Sequence, residues 1–363
     1  MENLKFTRDD TSIAKGIAII CMFIHHLFTF PNRIKGSSEF ISLFQFNGNN
    51  IEYWFGQYGR ICVAMFLFFS GFGIYKQFAK NNAHVSSNVF KRLKNLYVNY
   101  WTVFIIFIPI SFFTGYREFN LAEFFDNFVG YRSTYDGEWW FFELYVLVIA
   151  TFPVTVKLIK NSSVTSFFKI MVLAVLSRTV YVSLKDVPLF NTFARTIFYS
   201  ELNLLLTWLP CFLMGITFAK FDLFPKISQK FKDNKLDNIF VYLLICLVLM
   251  YVRFRNDDVI DFDYLIAPLY ILCSVNIVKI LKLNKLFVYL GKHSSNMWLV
   301  HSFFCYQYFQ WWVYLPKISI FVLLWLIIIT IATSIAIEFI KKQVTKLCSG
   351  EFKLSYMNRA LRD

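Results

Sequence analysis

Two imidazoles stand side by side at His25 and His26, and the ammonium group of Lys15 precedes the second by eleven residues. Histidine is the side chain best tuned to take a proton from a weak nucleophile near neutral pH. A third histidine, His301, closes the stretch Gly291-Lys292-His293-Ser294-Ser295-Asn296-Met297-Trp298-Leu299-Val300-His301. Lys91, Arg92 and Lys94 form a basic cluster without an acid, and a guanidinium grips phosphate oxygens two at a time. A nucleophilic Ser70 would need an adjacent base or a Gly-x-Ser-x-Gly turn, and neither is present. Ser70-Gly71 reads first as a small-residue site where helix backbones approach closely. The Walker lysine loop, the dinucleotide glycine fingerprint and HExxH are all missing, so these residue types point away from nucleotide, dinucleotide and zinc-protease chemistry. No metal is expected, because five histidines spread along the chain do not make a ligand set.

The elements that must position these groups lie in lipid. Of 363 residues, 57% are hydrophobic and 17% charged, against roughly 45–50% and 25% in soluble domains. Phe alone occurs 45 times. Disorder is excluded by the same composition. The net charge of +14 therefore reads as membrane topology and not as a nucleic-acid surface. Seven cysteines contain no CxxC pair and read as buried small hydrophobes.

Crossing roughly 30 Å of hydrocarbon takes about 20 apolar residues. Ten runs qualify, near 12–30, 56–76, 96–114, 139–159, 164–184, 203–219, 237–253, 263–281, 287–310 and 318–340. The first is too long for a cleavable signal peptide and lacks a cleavage site. The loops between runs alternate in charge. Loop 77–95 is basic, 115–138 carries five acids, 220–237 carries five lysines, and 254–263 carries Asp257, Asp258, Asp261 and Asp263. That alternation is the positive-inside pattern and puts both termini in the cytoplasm. The predicted fold is all-α: a polytopic helical bundle of about ten transmembrane helices, one domain over 1–345 and a short cytoplasmic tail over 346–363.

Within this frame an ionisable group at membrane depth costs about 2.5–3.5 kcal/mol or more and needs a reason. Lys15 lies at the cytoplasmic mouth of the first helix and His26 roughly 16 Å deeper, on the same face because eleven residues are close to three turns. His25 points about 100° away and reads as an interfacial group. The ninth helix runs in the same direction as the first and brings His301 to a similar depth, which allows one shared cavity or a satisfied structural histidine. Arg60 and Arg178 are explained by snorkelling near outer ends. Glu143 is either a carboxylate partner or an interfacial group beside the tryptophans of an aromatic belt.

Lys15-Gly16-Ile17-Ala18-Ile19-Ile20 followed by His26 resembles the opening of the acyltransferase family 3 membrane proteins, in which a basic residue stands eleven before a histidine. Phe68-Phe69-Ser70-Gly71-Phe72, the basic run Lys91-Arg92-Leu93-Lys94-Asn95, Trp140-Phe141-Phe142 and Leu290-Gly291-Lys292-His293-Ser294 through His301 resemble the family's later motifs, in order. The resemblance implies a multi-pass cell-membrane enzyme that moves an acyl group, usually acetyl, from cytoplasmic acyl-CoA to a hydroxyl of a glycan acceptor. It implies His26 as catalytic residue with Lys15 as its basic partner and His301 beside them. Arg92, Lys91, Lys94 and Ser70 would meet the acetyl-CoA donor. The partners expected are acyl-CoA, the glycan and the bilayer, with no nucleic acid. The rival reading is a transporter or flippase of a glycan or small organic acid, which also uses intramembrane histidines; the chain lacks the two-half repeat common in such proteins.

Overall fold

The computed structural model describes residues 5–81, 85–159, 162–184, 187–256 and 262–348. Helix α1 (Arg8–Phe28) is followed by a short hairpin, β1 (Gln45–Phe46) and β2 (Asn49–Asn50), and then by α2 (Ile51–Gly59), α3 (Ile61–Asn81) and α4 (Val85–Phe113). A surface helix, α5 (Leu121–Phe128), precedes α6 (Trp140–Ala150), α7 (Phe152–Ile159) and α8 (Val164–Ser183). Next come α9 (Asn191–Ala194), α10 (Ile197–Lys220), α11 (Leu223–Asp233), α12 (Ile239–Asn256) and α13 (Asp263–Ile280). The last three are α14 (Asn284–Cys305), α15 (Gln310–Val313) and α16 (Ser319–Cys348). Each of the ten predicted segments coincides with a helix or a broken pair. Among the described residues seven helices are long and apolar enough to cross a membrane, eight with α6 and α7 taken as one span. The loop charges at Asp257, Asp258 and Asp261, and the tail beyond 348, lie outside the described residues.

Local chemistry explains where the boundaries moved. The first helix begins at Arg8 because Thr7 and Asp10 form a capping box: the Asp10 N–H donates to Thr7 Oγ1 at 3.1 Å and the Thr7 N–H to Asp10 Oδ2 at 2.8 Å. The third span begins eleven residues earlier than expected. From Val85 to Ile108 no Gly or Pro interrupts, and straight-chain residues extend the helix, so the basic cluster lies on α4 and not in a loop. The α6–α7 span bends by 42° where Pro153 removes a donor from the ladder. The ninth span ends at Cys305, five residues early: the N–H groups of Tyr306 and Gln307 both turn back to the Ser302 carbonyl, at 2.9 and 3.3 Å.

α1 is the central helix and packs on α2, α3, α13, α14 and α16. Its closest neighbour is α14, and the closest partner of α3 is α10. Both approaches rest on reciprocal glycines. A methyl at Gly16 would overlap the Phe287 carbonyl and one at Gly291 the Ser12 carbonyl. Gly71 meets the Phe212 carbonyl and Gly215 the Phe68 carbonyl in the same way. Small residues let backbones touch where lipid supplies no hydrophobic drive between helices. At the far end of the bundle from the Lys15 mouth, Arg253 donates to both oxygens of Asp263 (2.8 and 3.2 Å) and to the Gln57 carbonyl (2.8 Å), joining α12, α13 and α2. The exposed Leu173, Leu176, Leu247 and Ile328 mark the lipid-facing side of α8, α12 and α16.

Candidate active site

Two cavities lie in line along α1. The first, about 230 Å³, is lined by Lys15 of α1, Ser70 of α3, Arg92, Asn95 and Asn99 of α4, and Ser294 and Ser295 of α14. The glycine after the SGF segment makes room for the guanidinium: a Cβ at Gly73 would stand 3.1 Å from Arg92 Nη2. The Arg92 Nε is buried without a hydrogen-bond partner. Among the described residues neither Lys15 nor Arg92 has a carboxylate within ion-pair distance, so two cations face one cavity with no counter-anion. Ser70 donates its hydroxyl to the Phe66 carbonyl at 3.0 Å, so it lines the wall with its proton already bonded. Lys91 and Lys94 are exposed and do not line this cavity. On a helix, residues one before and two after Arg92 point elsewhere.

The second cavity, about 210 Å³, is lined by His25, His26, Arg33, Arg60 and Glu138, among others. His26 is held from two sides. Its Nδ1 is hydrogen-bonded to Tyr306 Oη at 2.6 Å, and its Nε2 faces Glu138 Oε2 at 3.6 Å. Arg33 donates to the other Glu138 oxygen at 2.7 Å, and its guanidinium lies over the Phe30 and Tyr306 rings at 4.1 and 4.9 Å. The Glu138 loop is pinned to α14. Asp136 accepts the Ser302 hydroxyl on one oxygen and the Glu138 N–H on the other (3.0 Å), and the Trp139 indole donates to the Leu299 carbonyl at 3.0 Å. Burial pushes the Asp136 carboxyl up to about 7, against the opposing pull of those two donors.

His301 is fully buried, with its ring 4.6 Å from that of His26. Its Nδ1–H donates to the Trp298 carbonyl at 2.5 Å, so Nε2 keeps its lone pair, and that atom has no partner. His25 also reaches the second cavity, its ring 5.0 Å from that of His26, despite the angle between the two positions on the helix. Its Nδ1–H is committed to the Gly56 carbonyl at 2.8 Å, which ties α1 to α2.

The structure thus brings His26 and His301 together, and it separates Lys15 from them into the cavity of Arg92. Glu143, the carboxylate weighed from the sequence, lines neither cavity; Glu138, five residues earlier, does. Arg60 lines the second cavity and approaches the Trp208 ring at 6.0 Å, whereas Arg178 donates to Thr207 Oγ1 at 3.2 Å. Arg33, Glu138 and Tyr306 were not singled out from the sequence. For Glu138 a signal existed, since it directly precedes the Trp139-Trp140 pair; for Tyr306 there was none. Among the described residues no group of three or more His, Cys, Asp or Glu could hold a metal ion.

A family model described as an acyltransferase domain matches residues 11–339, nearly the whole chain. No curated protein and no solved structure matches the chain.

Proposed function

The chain belongs to acyltransferase family 3, and on that premise we propose that it carries an acetyl group from cytoplasmic acetyl-CoA to a hydroxyl of an envelope glycan on the far side of the cell membrane. The observation that carries this reading is the pair of adjoining cavities. One presents Lys15 and Arg92 with no protein anion, and the other presents His26 with Glu138 and Arg33. Coenzyme A brings a 3′-phosphate and a pyrophosphate, which need cationic partners to enter a membrane protein. A sugar hydroxyl is a poor nucleophile and needs a base at the other end of the path.

The chemistry follows from His26. In the tautomer that donates Nδ1–H to Tyr306 Oη, the Nε2 lone pair is free to accept the acceptor's hydroxyl proton. The hydroxyl oxygen bonds the acyl carbon, the carbon–sulfur bond breaks, and the proton passes through His26 to the departing CoA thiolate. Glu138 stabilises the imidazolium formed on the way, while Arg33 fixes the carboxylate that does so. His301 offers a second lone pair beside the base. Lys15 serves the donor phosphates and not the proton. Lys91 and Lys94 act from the surface, as anchors on the cytoplasmic side.

The test is mass spectrometry of envelope glycans from cells with and without the gene, followed by membranes supplied with isotopically labelled acetyl-CoA. Labelled O-acetyl groups should appear only where the protein is present. Glycans acetylated equally in both strains, with no label transferred, would overturn the reading.

A further inference from the structure

The two cavities share three side chains, and all three are aromatic: Phe66 of α3, Phe141 of α6 and Trp298 of α14 line both. The Phe66 and Phe141 ring centroids are 6.2 Å apart and tilted by 57°, and those of Phe141 and Trp298 are 5.2 Å apart at 81°. Phe141 is therefore the middle member of a partition drawn from three separate helices. Polar and charged groups stand on either side of it. Lys15, Ser70 and Arg92 lie on one side, His26, Arg33 and Glu138 on the other.

We propose that Phe66, Phe141 and Trp298 form the passage in which the acyl thioester meets its acceptor, and that their spacing selects the length of the acyl chain transferred. The inference rests on the acyl-CoA reading above and adds the residues that set its specificity. The thioester must lie between the phosphate-binding cations and the base, and among the described residues the partition is what the two cavities have in common. It is also the apolar stretch of the path, so it is where the hydrocarbon of the acyl group is accommodated.

The walls are held in place. Phe141 and Trp298 are each only 9% exposed. Close-packed rings cannot yield by a methylene without strain. One methylene too many or too few in an apolar pocket changes discrimination by about 10–200-fold. A partition of this kind favours acetyl over longer chains by size alone, while the ester formed and the carbon–sulfur bond broken stay the same for every donor.

A competition experiment tests this. Membranes containing the full chain are given equimolar acetyl-, butyryl- and hexanoyl-CoA, and the acyl groups arriving on the glycans are counted by mass spectrometry. The product ratio is then the ratio of kcat/KM values. The unsubstituted protein should deliver mostly acetyl. Phe141→Ala should raise the butyryl-to-acetyl ratio at least tenfold, and Phe66→Leu, on another helix, should move it in the same direction by less. Phe141→Leu, which keeps more of the packing, serves where the alanine variant fails to accumulate. A ratio unchanged in the accumulating variants, with acetyl transfer retained, overturns the proposal. An unsubstituted protein that uses none of the three donors contradicts the acyl-CoA reading itself, and so marks that failure apart from this one.

Discussion

Glu138→Gln isolates the charge that faces the proposed base. The carboxylate stands 3.6 Å from His26 Nε2 and is itself bonded to Arg33 at 2.7 Å. Two full charges at that separation, with an effective dielectric near 20, interact by roughly 4–5 kcal/mol. The imidazolium is only partly developed in the transition state, and the Arg33 charge offsets part of the field. About 3 kcal/mol remains, which corresponds to roughly 10²-fold in rate. Because Glu138 lines the His26 cavity and not the cavity of Lys15 and Arg92, the loss should fall on kcat and leave the KM for acyl-CoA within about twofold. Arg33→Gln tests the alternative that the loss comes from a stranded arginine. Removing this 42%-exposed partner should cost less than removing the carboxylate, since an exposed charge is readily solvated. Residues that act as one unit are not additive, so His26→Ala with Glu138→Gln should be no slower than His26→Ala alone. Initial rates of labelled acetyl transfer, in membranes matched for protein by immunoblot, supply every number. If Glu138→Gln keeps the full kcat, or loses activity only through the donor KM, Glu138 is not the partner of the base.

The other expectations concern the same two cavities. His26→Ala should lower acyl transfer by about 10²–10⁴-fold with the protein still accumulating, whereas His25→Ala, which loses the Gly56 contact, should chiefly lower the melting temperature in detergent. Arg92→Ala should raise the apparent KM for acyl-CoA with acceptor dependence unchanged, and Arg92→Lys should recover only part of it, because an ammonium lacks the two-pronged grip. Asp136 carries a pH signature. A carboxyl raised in the folded state to about 7 favours folding fully below its unfolded value near 4 and loses that contribution as pH rises through 7. The melting temperature should thus fall from about pH 4 to about pH 7 and level off above it, and Asp136→Asn should flatten that slope in a thermal-shift series. Cysteines placed at Asp126 and Lys232 should react with an impermeant maleimide from opposite sides, the first from outside; the reverse result would put the His26 cavity on the cytoplasmic side.

What the sequence determined by itself was local and additive. Hydropathy over about 20 residues and the sign of the adjoining loop depend only on residues near one another in the chain, and so all ten helical segments could be placed. The helical period likewise set Lys15 and His26 along one face, and the glycines beside Lys15 and Lys292 were visible inside their motifs. Packing decided the rest. That Gly16 and Gly291 touch each other's helices, and so carry His301 to His26, depends on two segments some 275 residues apart in the chain. Lys91, Arg92 and Lys94 form one basic run in sequence, in which the guanidinium alone has the two-pronged grip, and the seating of α4 against Gly73 turns Arg92 inward and leaves its neighbours exposed. Glu143 and Glu138 flank the same tryptophan pair. The Asp136–Ser302 and Trp139–Leu299 bonds select Glu138 by pinning its loop to α14. Tyr306 reaches His26 only because α14 ends at Cys305, where two N–H groups turn back on one carbonyl. Span and side are one-dimensional quantities set by transfer energies, whereas a cavity is the space that several helices leave between them, and no single stretch of chain encodes it.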